Sequence, residues 1–306
     1  MQSCCCTESS MPAAHPGAWT SRSPAGCSST AACRPSPSRC SPAHPHTTRP
    51  SLRSCPHSSG SARSAGRLPH DEGNRMTTRT DHPTVLLVQG AWHHPDAWLP
   101  LRGELFLRGV RTVVTDLPSA GTAPTGSMHD DADAVTAAIA AIAGPVVVVA
   151  HSYGGIPATE ATATATGVTQ LIYVAAYVPD VDGSMYTLHG VPDPEDVSGL
   201  VPTVPDPRTT FYGDLTDERA AVAVARMVEQ TQRAFVERVR GAGWRSVPTT
   251  YVVCDQDQAI PPSMQAAMAA HAGATVRHLA SSHSPFLSEP GALADLVLST
   301  VSAAAV

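Results

Sequence analysis

Lysine is missing from this chain of 306 residues; all twenty cationic side chains are arginine, a bias in keeping with a GC-rich coding sequence. Long apolar runs are missing too, and nothing approaches the 18 or so residues of a membrane span, so a membrane partner is not expected. The first 75 residues hold no apolar stretch of 7–15 residues and no adjacent arginines, which argues against secretory and twin-arginine signals. Proline every few residues forbids the amphipathic helix of a transit peptide there. Cysteine is nearly absent beyond residue 55, where only Cys254 occurs; the other seven crowd into the beginning without paired C-x-x-C spacing, so neither zinc nor a disulfide framework is expected.

Cutting before Met76 separates two unlike polymers. Residues 1–75 carry eight Arg against three acids, net +5, with many Ser and Pro and one large aromatic, Trp19. Such a stretch cannot bury enough apolar surface to offset the entropy of ordering it, and reads as a disordered low-complexity tail. Residues 76–306 carry twelve Arg against 23 acids, net −11, and a chain of that size can bury roughly 70% of its unfolded surface in one core. Acidity of the folded part disfavours nucleic acid as a partner. The expectation is that Met76 is the true initiator: Glu72-Gly73 must be encoded by a purine-rich stretch shortly upstream of it.

From Met76 onward, strand-like and helix-like runs alternate, as in an α/β sheet. Strands are predicted at Thr84 to Val88, Arg111 to Asp116, Pro145 to Ala150, Gln170 to Ala175, Thr249 to Cys254 and Thr275 to Leu279. Four consecutive valines in the third suit a central parallel strand covered on both faces. Helices are predicted from Trp98 to Leu107, Asp131 to Ala143, Gly154 to Thr166, Pro262 to His271, and after Pro290, the last capped by Ser288. Between about 178 and 247 the alternation breaks into clustered prolines and one long helical pattern, Asp217 to about Val239, which reads as a small helical lid over a site.

Ala150-His151-Ser152-Tyr153-Gly154-Gly155 has the form of a nucleophile elbow with Ala in place of the first Gly. Its position, after the most buried strand and opening a helix, is the context such a turn requires. A serine hydroxyl is a weak nucleophile, so a base must stand beside it and an acid must orient the base. Among fourteen histidines, His283 follows the last strand, where the base belongs, whereas His151, His271 and His278 read as structural. The acid should follow the preceding strand, where Asp257 is preferred and Asp255 stays open; Asp180 and Asp182 are more distant choices. Oxyanion donors are expected at the amides of Tyr153 and Ala91. The His93-His94 pair lacks acidic or cysteine partners at ligand spacing, and neither metal nor cofactor is expected.

Taken in order, Gly90-Ala91-Trp92-His93, His151-Ser152-Tyr153-Gly154-Gly155, Asp255-Gln256-Asp257 and Ser282-His283-Ser284-Pro285-Phe286 resemble the α/β-hydrolases. The resemblance is closest to bacterial esterases akin to plant methyl-ester esterases and hydroxynitrile lyases, and it covers residues 82–303. It implies an α/β-hydrolase fold, with a mostly parallel central sheet flanked by helices and the lid inserted after the strand Gln170 to Ala175. It also supports Asp257 as the triad acid. Gln89 departs from the family, which usually has His there. The lyases use a lysine beside the catalytic histidine and a threonine in the oxyanion loop; Ser284 and Gly90 stand at those positions, so a lyase is disfavoured. The reading is a cytoplasmic serine esterase acting on small to medium apolar esters, with Trp92, Met185, Phe211, Tyr212 and Trp244 as candidate pocket lining. Other triad chemistry, such as lactone or carbon–carbon hydrolysis, and a non-catalytic binder on the same fold are the rivals. Nothing in the sequence specifies an oligomeric state.

Overall fold

The structure, a computed structural model, describes residues 83–303; the tail read at 1–75 and the expected start at Met76 lie outside the described residues. In chain order the residues form β1 (Thr84–Val88), α1 (Leu99–Leu107), β2 (Thr112–Val114), β3 (Ala120–Gly121), α2 (Met128–Ala140), β4 (Val146–His151), α3 (Gly155–Thr162) and β5 (Val168–Val174). The lid follows, with α4 (Met185–Leu188), α5 (Pro207–Tyr212), α6 (Asp217–Ala225), β6 (Glu229–Gln230) and α7 (Arg233–Val236). The chain closes with β7 (Thr249–Cys254), α8 (Pro262–His271), β8 (Thr275–Leu279), α9 (Pro285–Ser288) and α10 (Pro290–Ala303). Among the described residues, no helix is long and apolar enough to cross a membrane.

Six strands form one parallel sheet in the order β2-β1-β4-β5-β7-β8. Side chains alternate across a strand, and here both faces are covered. Leu86, Val88, Val146 and Val148 pack with Met128, Val135 and Ile139 of α2 and Ile156 of α3. Val85, Leu87, Val147 and Val149 pack instead with Leu101 and Leu105 of α1 and Leu293 and Val297 of α10. The valine run is therefore divided between two cores, and each fully buried aliphatic side chain contributes about 1.5–3 kcal/mol.

Three local expectations are corrected. The helix predicted from Asp131 begins at Met128, because Ser127 caps it and Asp130 returns the bond to the Ser127 amide. Ser288 does not cap α10: it closes the short α9, its hydroxyl donates back to Ser284 O, and Leu293 N bonds Glu289 O instead. The single long lid helix is broken at Ala225, since Glu229–Gln230 leaves the helix to pair antiparallel with Ala120–Gly121 of the body. Helical periodicity in the sequence cannot register a strand partner more than a hundred residues away.

The connections leaving β1 and β4 run in opposite directions along the sheet, so a crevice opens between their carboxyl ends. In open α/β sheets this is where ligands bind.

Candidate active site

β4 ends at His151, a single 3-10 turn spans Ser152–Gly154, and α3 starts at Gly155. The turn is so tight that Ser152 has φ of 50°, a left-handed conformation that non-glycine residues hold only where the surroundings impose it. It requires a small neighbour: a Cβ on Gly154 would lie 2.4 Å from Gln89 O. Gly90 meets the same demand from the facing loop, for a Cβ there would stand 2.8 Å from Ser152 Cβ and 2.7 Å from His151 Nδ1. The loop after β1 is thereby pressed against the serine, bringing the Ala91 and Tyr153 residues to the same crevice. Helix α3 adds the partial positive charge of its amino end.

The structure separates the two candidate acids. Asp257 is buried, and its Oδ2 accepts from His283 Nδ1 at 2.7 Å and from Gln265 Nε2 at 2.9 Å. Its Oδ1 accepts from the amides of Ala259 at 2.7 Å and Ile260 at 3.0 Å. Four donors thus fix the carboxylate, and with Nδ1–H of His283 donated to it, Nε2 is left as the basic nitrogen. Asp255 is exposed and accepts instead from His278 Nδ1, on β8, at 2.8 Å. Asp180 is bound to Arg245, and Asp182 lies exposed on the surface.

Two further histidines flank the crevice. His151 Nε2–H donates to His283 O at 2.9 Å, with the two rings 4.6 Å apart, tying the histidine loop to the residue preceding Ser152. His93 Nδ1–H donates to Ala91 O at 2.7 Å, so its Nε2 accepts from Tyr212 OH at 3.0 Å. Burial lowers His93 from the usual 6.5 to about 4, a shift the nearby His283 reinforces against the bond to Ala91. Burial and the same neighbour push His151 well below 6.5. Both rings are neutral near neutral pH and add no positive charge opposing a proton on His283.

The lid roofs the crevice with aromatic rings. Phe211 lies 5.5 Å from the His283 ring, Phe235 lies 5.5 Å from that of Tyr153, and Trp92 touches both at 5.9 and 5.5 Å. Ser152 is left only 8% exposed. Two cavities of about 670 and 710 Å³ meet at Trp92 and Met227, and neither is lined by Ser152, Asp257 or His283. Of the predicted lining residues, Trp92 borders both cavities and Tyr212 the first. Trp244 is placed elsewhere: its Nε1 donates to Pro179 O, Arg245 lies over its ring and His271 packs against it, so it fastens the lid to α8. Met185 is half-buried against the main core and borders neither cavity.

Sequence reading missed several polar residues that hold the site. Gln265 fixes Asp257 while also donating to Ile260 O and accepting from Cys254 N. Asp214 of the lid accepts from Ser282 N and Oγ, next to His283. Asp131 is fully buried and accepts from Tyr153 OH at 2.6 Å and from Ser119 N at 2.9 Å. Two of them were detectable as polar intrusions in apolar stripes: Asp131 shares its helix face with Val135 and Ile139, and Gln265 with Met268 and Ala269.

Residues 85–296 match the model of the alpha/beta hydrolase family. A probable hydrolase, R7, from Phoma sp. is 26% identical over 60% of this chain and 81% of its own length. The alpha/beta hydrolase nvfD of Aspergillus novofumigatus is 25% identical over 73% of this chain and 96% of its own. Among solved structures, the methylesterase MES16 from Arabidopsis superposes with a TM-score of 0.63 at 21% identity, covering 72% of this chain and 99% of that one.

Proposed function

The chain belongs to the alpha/beta hydrolase family, and from that premise we propose that it is a serine hydrolase cleaving carboxylic esters of small to medium apolar substrates through an acyl-enzyme. The observation carrying this reading is the buried pair His283 Nδ1–Asp257 Oδ2 at 2.7 Å, on the carboxyl side of the same sheet as the strained Ser152. Ser152 attacks the ester carbonyl carbon while His283 Nε2 takes its proton; Asp257 orients the imidazole and stabilises the imidazolium. The amides of Ala91 and Tyr153 receive the oxyanion of the tetrahedral intermediate. His283 then protonates the departing alcohol; water, deprotonated by His283, attacks the acyl carbon, and His283 returns that proton to Ser152 Oγ as the acid leaves. The aromatic roof of Trp92, Phe211 and Phe235 supports a preference for uncharged substrates, because a charge carried under it would lose its hydration without a partner. The proposal includes a cytoplasmic location, supported by Cys254, which is free and buried and needs no oxidising compartment.

Hydrolysis of short-chain p-nitrophenyl esters by the wild type and Ser152→Ala, beside labelling with a fluorophosphonate, tests the reading. Wild type should turn over and label, and Ser152→Ala should do neither. A wild type that neither hydrolyses nor labels refutes it.

A further inference from the structure

We propose that Gln230 is a positioning residue through which the lid sets the geometry of both oxyanion-binding amides; the inference rests on the assignment of those amides above. Gln230 belongs to the lid strand β6 and is fully buried, and both ends of its side-chain amide are used. Oε1 accepts from Trp92 N at 3.3 Å, and Trp92 directly follows Ala91. Nε2 donates to Ser119 Oγ at 2.5 Å. Ser119 Oγ in turn donates to Asp131, and Asp131 Oδ2 accepts from the hydroxyl of Tyr153, which directly follows Ser152. A continuous chain of buried hydrogen bonds therefore runs from Trp92, which directly follows the oxyanion donor residue Ala91, to Tyr153, the other donor residue, and the lid side chain Gln230 is one of its links.

The backbone reinforces this arrangement. Gln230 pairs with Ala120, its carbonyl accepts from Val201 N at 2.8 Å, and Thr231 N donates to Ser119 O at 2.9 Å. Trp92 is gripped by the lid at two further points: its carbonyl accepts from Val228 N at 2.9 Å, and its indole donates to Val201 O at 3.1 Å. Trp92 has φ of 58°, which persists only while such contacts hold it. When the lid lifts, the Trp92 amide loses its acceptor and Ser119 loses its donor together. Ala91 and Tyr153 then relax in concert, so the oxyanion site is complete only with the lid seated over the substrate.

The test compares wild type with Gln230→Leu, which keeps the volume but makes neither side-chain bond. Active sites are counted by end-point fluorophosphonate labelling, kcat and KM are measured per labelled site on a p-nitrophenyl ester, and inhibition by a trifluoromethyl ketone is measured alongside. That ketone forms an oxyanion on the serine. The expected result is a fall in kcat of about ten- to a hundredfold, KM changed by less than about threefold, and a matching loss of ketone affinity, as for an interaction used in the transition state. A role confined to folding lowers the labelled fraction but leaves kcat per labelled site and ketone affinity unchanged, and that outcome overturns the inference. A rise in KM with kcat intact overturns it as well. If Gln230→Leu does not fold, Ser119→Ala and Tyr153→Phe cut the same chain elsewhere; each should lose about three- to tenfold in kcat and in ketone affinity together. A wild type that hydrolyses the ester and labels, with no effect of any of the three variants, refutes the coupling alone, whereas an inert wild type refutes the esterase reading.

Discussion

Acid should destabilise this protein through His93, and the size of the effect follows from its surroundings. The ring is 4% exposed, donates Nδ1–H to Ala91 O and accepts at Nε2 from Tyr212, so no site is open for a second proton. Its folded pKa of about 4 lies below the 6.5 it has when exposed, so the unfolded chain takes up a proton first as pH falls. Stability attributable to neutral His93 is complete above about pH 7, declines as pH drops below 6.5, and is lost by about pH 4. Linkage with these two values makes the loss about 2 kcal/mol between about pH 7.5 and about pH 5. His93→Asn removes the titration while retaining an N–H for Ala91 O. Urea denaturation of both proteins at the two pH values gives the assay. The variant starts less stable, having lost ring packing and the acceptor for Tyr212, but it should lose about 2 kcal/mol less than wild type on acidification. Equal losses in the two proteins would refute the reasoning; His151 is present in both, and the burial that chiefly lowers it is retained in the variant.

Asp257→Asn should lower kcat/KM by about ten-thousandfold in the ester assay, as for loss of a triad acid, while Asp255→Asn stays within about twofold of wild type. Equal losses would undo the assignment drawn from the His283 and His278 bonds. Gly90→Ala should abolish ester hydrolysis while the protein still folds by circular dichroism, since its Cβ would collide with Ser152 and His151; near-wild-type activity would show that the loop is not pressed against the serine. Asp131 has the opposite pH sign to His93: burial raises it to about 6, against the bonds from Ser119 and Tyr153, so its ionised form burdens the fold above that pH. The stability of Asp131→Asn relative to wild type should therefore rise by about 2.5 kcal/mol between about pH 4 and about pH 8, and a flat difference in urea melts would contradict it.

The chain itself determined the order of strands and helices, because hydrophobic periodicity and the glycine and proline stops that bound an element are local properties. It also singled out Ser152, since an elbow demands small residues at fixed spacing around its serine, and His283, the proposed base, from its place after the last strand. Tertiary structure decided the rest. Asp257 and Asp255 leave the same strand two residues apart, and only their partners, His283 and His278, distinguish them. The lid was legible as an interruption, but its break at Glu229–Gln230 was not, because a strand with a distant partner carries no periodicity of its own. Gln230 reaches Trp92 across 138 residues of sequence and Ser119 across 111. A buried polar side chain takes whatever partner folding brings to it, and that pairing is written in the packing of the body against the lid rather than in any local stretch of the chain.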